Sequence, residues 1–271
     1  MAVVPDPEEG WGSSDAEELL RRAHERFGAK AVFASSFGAE DMVLLDMIAK
    51  LGGRPGSAIR VVSVDTGRLF PETYDLIQRA RHRYGMPIEL VFPDTSEVEQ
   101  MVNREGPNLF YGSVEARRRC CQVRKVGPLD RALDGADAWI VGLRRAQSAE
   151  RGSTPKVCDD PAHPGRIKIS PLADWSWSDV QEYVRRHDVP VSPLYERGFL
   201  SIGCAPCTRA VLPGADPRSG RWWWESSTKE CGLHAIVPEP AAPELRRPGL
   251  LARLRAPPEH GEVGPRDVLV L

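Results

Sequence analysis

The chain of 271 residues carries 36 Lys plus Arg against 38 Asp plus Glu, a formal net charge of −2, with 41% hydrophobic and 27% charged residues. That mixture supports a buried core of one large domain or two small ones. It excludes a protein that coats nucleic acid through a large basic excess, and no run of 18 apolar residues is present to cross a membrane.

The first ten residues are acidic and contain Pro, without the basic start and apolar stretch of a signal peptide, so a cytoplasmic address is expected. Residues 1–29 read as a helical lead-in. From Ala31 the chain alternates between short apolar runs and helical patterns. Ala31–Ala34 reads as a buried strand, followed by a helix through Met42, Leu45, Ile48 and Leu51. Ile59–Val64 is the next strand, and Pro71 opens a helix toward Tyr84, Pro being well suited to a first helical position. Ile88–Phe92 and Ala138–Val141 read as further strands, and Ser178–His187 as one more helix. The rhythm implies an α/β fold, a mainly parallel sheet flanked by helices. Ligands of such sheets bind beyond the C-terminal ends of the strands. Three polar segments lie there: Ser35–Gly38, Asp65–Arg68 and Gly142–Arg145. After Val237 seven of the last 35 residues are Pro, and 237–271 reads as an extended tail.

Four segments carry chemistry. Ser35-Ser36-Phe37-Gly38-Ala39-Glu40-Asp41 joins strand to helix, and its hydroxyls, Gly and helix N-terminus suit a phosphate, although the GK[ST] ending of a P-loop is missing. An ordinary capped turn is the bland alternative. Arg117–Lys125 holds five cations in nine residues around Cys120 and Cys121. A charge run is usually a solvated face, but cations beside thiols favour thiolate. Cys204 and Cys207 form a CxxC, open to zinc, iron–sulfur or dithiol readings. With Cys120 and Cys121 they make a four-thiolate set. Spacing favours zinc slightly; the local positive charge suits an iron–sulfur cluster better. Cys231, with Gly232 beside it and His234 three residues on, is a candidate nucleophile or a buried thiol. Upstream, Arg218 and Arg221 lie where no periodicity gives them a packing face, next to Trp222-Trp223-Trp224, read as packing. Cys158 stands alone, a packing or surface thiol.

SSFGAED, VDTGRLFPETY, CCQVRK, GLRR, GCAPCTR, GRWWWE and KECGLH occur in this order. Over residues 30–236 the set resembles the assimilatory sulfonucleotide reductases, of the iron–sulfur adenylyl-sulfate reductase type. The resemblance implies an adenine-nucleotide α-hydrolase-like (Rossmann-like) fold. It implies thioredoxin-dependent reduction of adenosine 5′-phosphosulfate to sulfite and AMP, through a Cys-S-sulfonate, in sulfate assimilation and cysteine biosynthesis. It matches Cys120, Cys121, Cys204 and Cys207 to the ligands of a [4Fe-4S] cluster, and Cys231 to the nucleophile with His234 beside it. Ser35, Ser36, Gly38, Lys125, Arg144, Arg218 and Arg221 match positions around the substrate. With no appended redoxin domain read, reduced thioredoxin or glutaredoxin is expected as a separate donor. A homo-oligomer is compatible; nucleic acid and membrane are not expected partners. The rival in the family is a 3′-phosphoadenylyl-sulfate reductase, which typically lacks the cluster cysteines. An ATP-dependent tRNA sulfurtransferase expects SGGxDS, from which SSFGAED departs.

Overall fold

The computed structural model describes residues 10–52, 58–160 and 162–225. Cys231, His234 and the 237–271 tail, all singled out above, lie outside the described residues.

Helix α1 (Ala16–Phe27) is capped by Asp15, whose side chain accepts from Glu18 N–H, and it buries Leu19, Leu20 and Ala23. Strand β1 (Ala31–Ala34) then leads into α2 (Ala39–Leu51). Next come β2 (Arg60–Val64), α3 (Pro71–Tyr84), β3 (Glu89–Val91) and α4 (Thr95–Glu105). Helix α5 (Val114–Cys121) runs through a π-helical turn (Gln122–Val126) into α6 (Gly127–Ala132), and β4 (Ala138–Ile140) follows. Strands β5 (Val157–Asp159) and β6 (Ile167–Ile169) form a hairpin before α7 (Trp177–His187). The elements expected from the sequence are present, Pro71 at the first turn of α3 included.

Six strands form one sheet in the order β3-β2-β1-β4-β6-β5, parallel except for β5, which runs antiparallel to β6. The strand order reverses between β1 and β4, so a crevice opens beyond their C-terminal ends. The sheet is buried on both faces, which is why its strands are nearly continuous apolar runs. Phe33, Val61 and Ile140 pack with Leu20, Met42, Leu45 and Leu76; Val32, Val62, Trp139 and Val141 pack with Leu129 and Leu133. No described helix is long and apolar enough to cross a membrane.

Five elements extend the expected set: α4, α5, α6, β5 and β6. Cys158 sits half-buried on β5, opposite Lys168 on β6. On the outer face, α2 and α7 are tied by a buried polar contact. The Tyr183 hydroxyl donates to Asp46 Oδ2 at 2.9 Å, and Lys50 Nζ lies 2.7 Å from the same oxygen. Tyr183→Phe is expected to lower stability by about 1.5–3 kcal/mol, the worth of a hydrogen bond to a buried carboxylate. Urea unfolding of the two proteins measures it.

Candidate active site

The crevice opens into a cavity of about 400 Å³, lined by Ser35, Ser36, Gly38, Lys125, Arg144, Arg218, Arg221, Cys120, Cys121, Cys204 and Cys207. Every described residue picked out above as a candidate thus faces one space.

Its floor is the turn between β1 and α2. Ser35 N–H donates to Val62 O, and its hydroxyl accepts from Phe37 N–H at 3.2 Å. Phe37 holds a left-handed φ of 60° and is buried, an uncommon conformation for an aromatic residue. Asp41, in the first turn of α2, reaches back to accept from Ser36 N–H at 2.6 Å and Ser36 Oγ–H at 2.7 Å. Ala39 N–H donates to the buried Tyr195 hydroxyl at 2.8 Å. A Cβ on Gly142, the first residue past Val141, would collide with Asp41 Oδ1, so the two sides of the crevice touch only because that residue is Gly. Burial pushes the Asp41 carboxyl up to about 6; the Ser36 bonds pull it down, Glu40 raises it, and the nearby Lys125 ammonium lowers it.

Arg144 is buried, with Nη2 at 2.8 Å from Glu40 Oε1 and its guanidinium 5.6 Å from the Trp177 ring centroid. Glu40 also accepts from Gln147 at 3.0 Å. The cation is therefore held ready, with its charge balanced by a neighbour. Arg151, not singled out by the sequence, lines the same cavity and donates to Gln147 Oε1 at 2.6 Å.

The four thiols occupy a separate apolar cluster. Cys120 and Cys207 are buried with Met101, Leu109, Phe110 and Trp222; Cys121 and Cys204 pack against them. Burial pushes the Cys207 thiol far up, and Cys204, Cys121 and Cys120 each add to the rise, so the four feel one another electrostatically. Thr66 Oγ1 lies 3.2 Å from Cys204 Sγ, and Arg124 donates to Thr66 O at 2.9 Å. Among the described residues no group of three or more His, Cys, Asp or Glu converges as a single metal ion requires. A [4Fe-4S] group takes each thiolate on a different iron, so its ligands stand apart, and a donor set of four thiols from two segments fits it.

The basic run is divided by the fold. Arg118 and Arg119 are exposed, but Arg117 is fully buried. Its Nε and Nη2 donate to the two Glu225 oxygens at 2.9 and 2.8 Å, and its guanidinium stacks 4.4 Å from the Trp222 ring. This fork–fork pair joins α5 to the segment that follows the CxxC. Arg221 corrects the expectation of no packing face. It stacks 4.8 Å over Trp222, donates to Ile202 O at 3.2 Å, forms a bridge with Thr208 and fills the space left by Gly203. Arg218 sits half-buried in a short 3₁₀ turn, Pro217–Gly220. The Trp run is packing: Trp222 is buried, and Trp224 meets Tyr111 edge to face with ring centroids 4.5 Å apart.

The family model of the phosphoadenosine phosphosulfate reductase domain matches residues 30–210. An adenosine 5′-phosphosulfate reductase of Burkholderia cepacia is 49% identical over 231 residues, 84% of this chain and 90% of the relative. A protein of that name from Allochromatium vinosum is 50% identical over 204 residues, 75% and 78% of the two chains. Among solved structures, a phosphoadenylyl-sulfate (PAPS) reductase of Candida auris in a phosphate complex is similar with a TM-score of 0.60 and 28% identity, over 73% of this chain and 91% of that one.

The raised Asp41 pKa has a stability consequence. In the unfolded chain the carboxyl ionises near the ordinary value of 3.8; in the folded protein it holds its proton to about 6. Between those values the folded state binds more protons, so stability falls as pH rises, by about 3 kcal/mol in all, and levels off above 6. Asp41→Asn keeps an acceptor for Ser36 and is expected to flatten this fall, measured as urea midpoints from pH 4 to 7.

Proposed function

Because the chain belongs to the phosphoadenosine phosphosulfate reductase domain family, with close relatives named adenosine 5′-phosphosulfate reductase, we propose that this oxidoreductase reduces adenosine 5′-phosphosulfate to sulfite and AMP. The observation that carries the reading is one cavity at the sheet's switch point. It combines a Ser-Ser-Phe-Gly turn, four thiols and a set of cations.

In this reading the adenylyl moiety lies along the crevice beside Ser35, Ser36 and Gly38. Lys125, Arg144, Arg218 and Arg221 face the phosphosulfate and meet the charge that develops on the departing phosphate oxygen. The Cys231 thiolate attacks the sulfonyl sulfur, the S–O bond breaks, and AMP leaves; Cys231 becomes an S-sulfonate, with His234 beside it. A reduced thiol protein, thioredoxin or glutaredoxin, then attacks the Cys231 sulfur. Sulfite departs with the bonding pair, and the donor's second thiol frees Cys231 as the donor becomes a disulfide. Cys120, Cys121, Cys204 and Cys207 would hold a [4Fe-4S] cluster. Bound there, such a cluster supplies a fixed local charge that tunes the pocket's field, without passing electrons to substrate. Its assembly ties the two cysteine segments together and contributes to folding.

The rival substrate carries a 3′-phosphate. The relatives named adenosine 5′-phosphosulfate reductase support the unphosphorylated nucleotide. Turnover with each nucleotide and reduced thioredoxin tests the assignment; equal or greater efficiency with the 3′-phosphorylated form overturns it.

Cys231→Ser is expected to abolish turnover and the S-sulfonate adduct while keeping bound iron, read by mass spectrometry and iron assay. Cys120→Ala is expected to lose iron and activity together, and Cys158→Ala neither. Arg218→Ala is expected to lower catalytic efficiency by roughly one to two decades, the loss of one charge-assisted contact, at unchanged iron content.

A further inference from the structure

One polar group lining the cavity has no task in the mechanism above, the Tyr195 hydroxyl. Tyr195 is fixed by its backbone: its N–H donates to Ser192 O at 3.3 Å, and its carbonyl accepts from Gly198 N–H at 3.0 Å. Its ring centroid lies 5.8 Å from that of Trp177, the first residue of α7, and Trp177 in turn faces the Arg144 guanidinium. The phenol is thereby carried to the first turn of α2. There it accepts from Ala39 N–H at 2.8 Å, a residue 156 positions earlier in the chain. Gly38 stands just before, and a Cβ added to it would lie 3.7 Å from the hydroxyl oxygen.

A phenol carries a single proton, held near the ring plane, and accepts through its oxygen lone pairs. Ala39 N–H takes the accepting side, so the proton is turned away from the helix end. Among the described residues no acceptor takes that proton; Ala39 N–H is the hydroxyl's hydrogen-bonding partner. Burial pushes the phenol far above its ordinary pKa, and Glu40 and Asp41 add to the rise. The Ala39 bond and Arg144 offset it only in part. The group is a neutral donor at every working pH. A donor in a cavity wall with no protein acceptor is where a ligand oxygen gains most. The surroundings select an anionic oxygen. The N-terminus of α2 directs its free N–H groups here, Gly38 gives it no side-chain cap, and Arg144 is among the charges that act on the hydroxyl.

We propose that Tyr195 is a substrate-binding residue whose hydroxyl, oriented by Ala39 N–H, donates to a non-bridging oxygen of the nucleotide 5′-phosphate. The inference rests on the functional reading above and adds a residue to its site. Arg144 meets the substrate already paired with Glu40, whereas the phenol is neutral and needs no counter-charge. The phosphate gains negative charge as the S–O bond breaks and AMP leaves. A donor fixed on its oxygen therefore binds the departing group more strongly than the ground state. The hydroxyl is a second device beside the cations, one that fixes direction where they supply charge. Tyr195→Phe keeps the ring against Trp177 and removes the O–H alone.

The test uses the iron-loaded full chain and its Tyr195→Phe variant. Two probes are titrated calorimetrically into each: AMP, which carries the 5′-phosphate, and adenosine, which has the same base and ribose without it. Turnover of adenosine 5′-phosphosulfate by the wild type is measured alongside. In the variant, AMP affinity is expected to fall at least tenfold, the worth of one hydrogen bond to a charged group, with adenosine affinity within threefold of wild type. A smaller loss for AMP overturns the proposal. So does a loss for adenosine that matches the loss for AMP, since a hydroxyl that only caps α2 would weaken the whole site without regard to the phosphate. A wild type that neither binds AMP nor turns over the substrate overturns the functional reading and this inference with it. A wild type that does both, matched by the variant, overturns this inference alone.

Discussion

The arrangement depends on a charge that cannot be left alone. Arg117 stays protonated at any working pH, and its side chain has no contact with water. A buried guanidinium without a counter-charge would cost about 3–5 kcal/mol, a large share of a domain's stability. Only one acid is paired with it there among the described residues, Glu225, which lies 108 positions later. Satisfying Arg117 therefore draws the end of the described chain onto α5. Along with it come Cys204 and Cys207, Arg221 and the three tryptophans. The cavity's far wall is the result of that one electrostatic demand.

The near wall follows another rule. A parallel sheet leaves its crevice where the strand order reverses, and here β1 and β4 flank it. Asp41 and Gly142 meet across it so closely that no side chain fits between. Among the described residues the cavity lining holds two acids, Glu40 and Asp41, against Arg68, Arg117, Arg124, Lys125, Arg144, Arg151, Arg218 and Arg221, of which Arg117 is paired with Glu225. Glu40 is committed to Arg144 and Asp41 to Ser36. The remaining field is positive, which suits an anionic nucleotide.

Much of this was legible in residue order alone. β1, β2 and β4 are apolar runs because both sheet faces are covered, and that is a signal a sequence carries. The helices of the middle are harder: α4 buries only Met101, so its period is too faint to read. β5 and β6 are three residues each, shorter than any pattern. The cysteines and the basic run stand out by type and spacing, whereas Lys125, Arg144, Arg218 and Arg221 are marked as site candidates by the resemblance to the family. The partnership of Arg117 with Glu225 did not, because nothing in a run of three arginines marks which one turns inward. Arg221 was read as loop for a similar reason: its packing surface is a single Trp ring and one carbonyl, with no repeat to announce them.

The π-helical turn at Gln122–Val126 joins the thiol-bearing helix to the sheet-packed one, with Gly127 N–H bonded to Gln122 O five residues back. A π turn amounts to one residue inserted into an α-helix. Removing a residue from this stretch would let α5 and α6 fuse into continuous α-helix. The winding between them would then change by one residue's step, about 100°. No substitution does this, and no deletion does it by halves. The angular phase of the Cys120–Cys121 pair against the sheet is stored in a residue count, and the chain can change it only in whole steps.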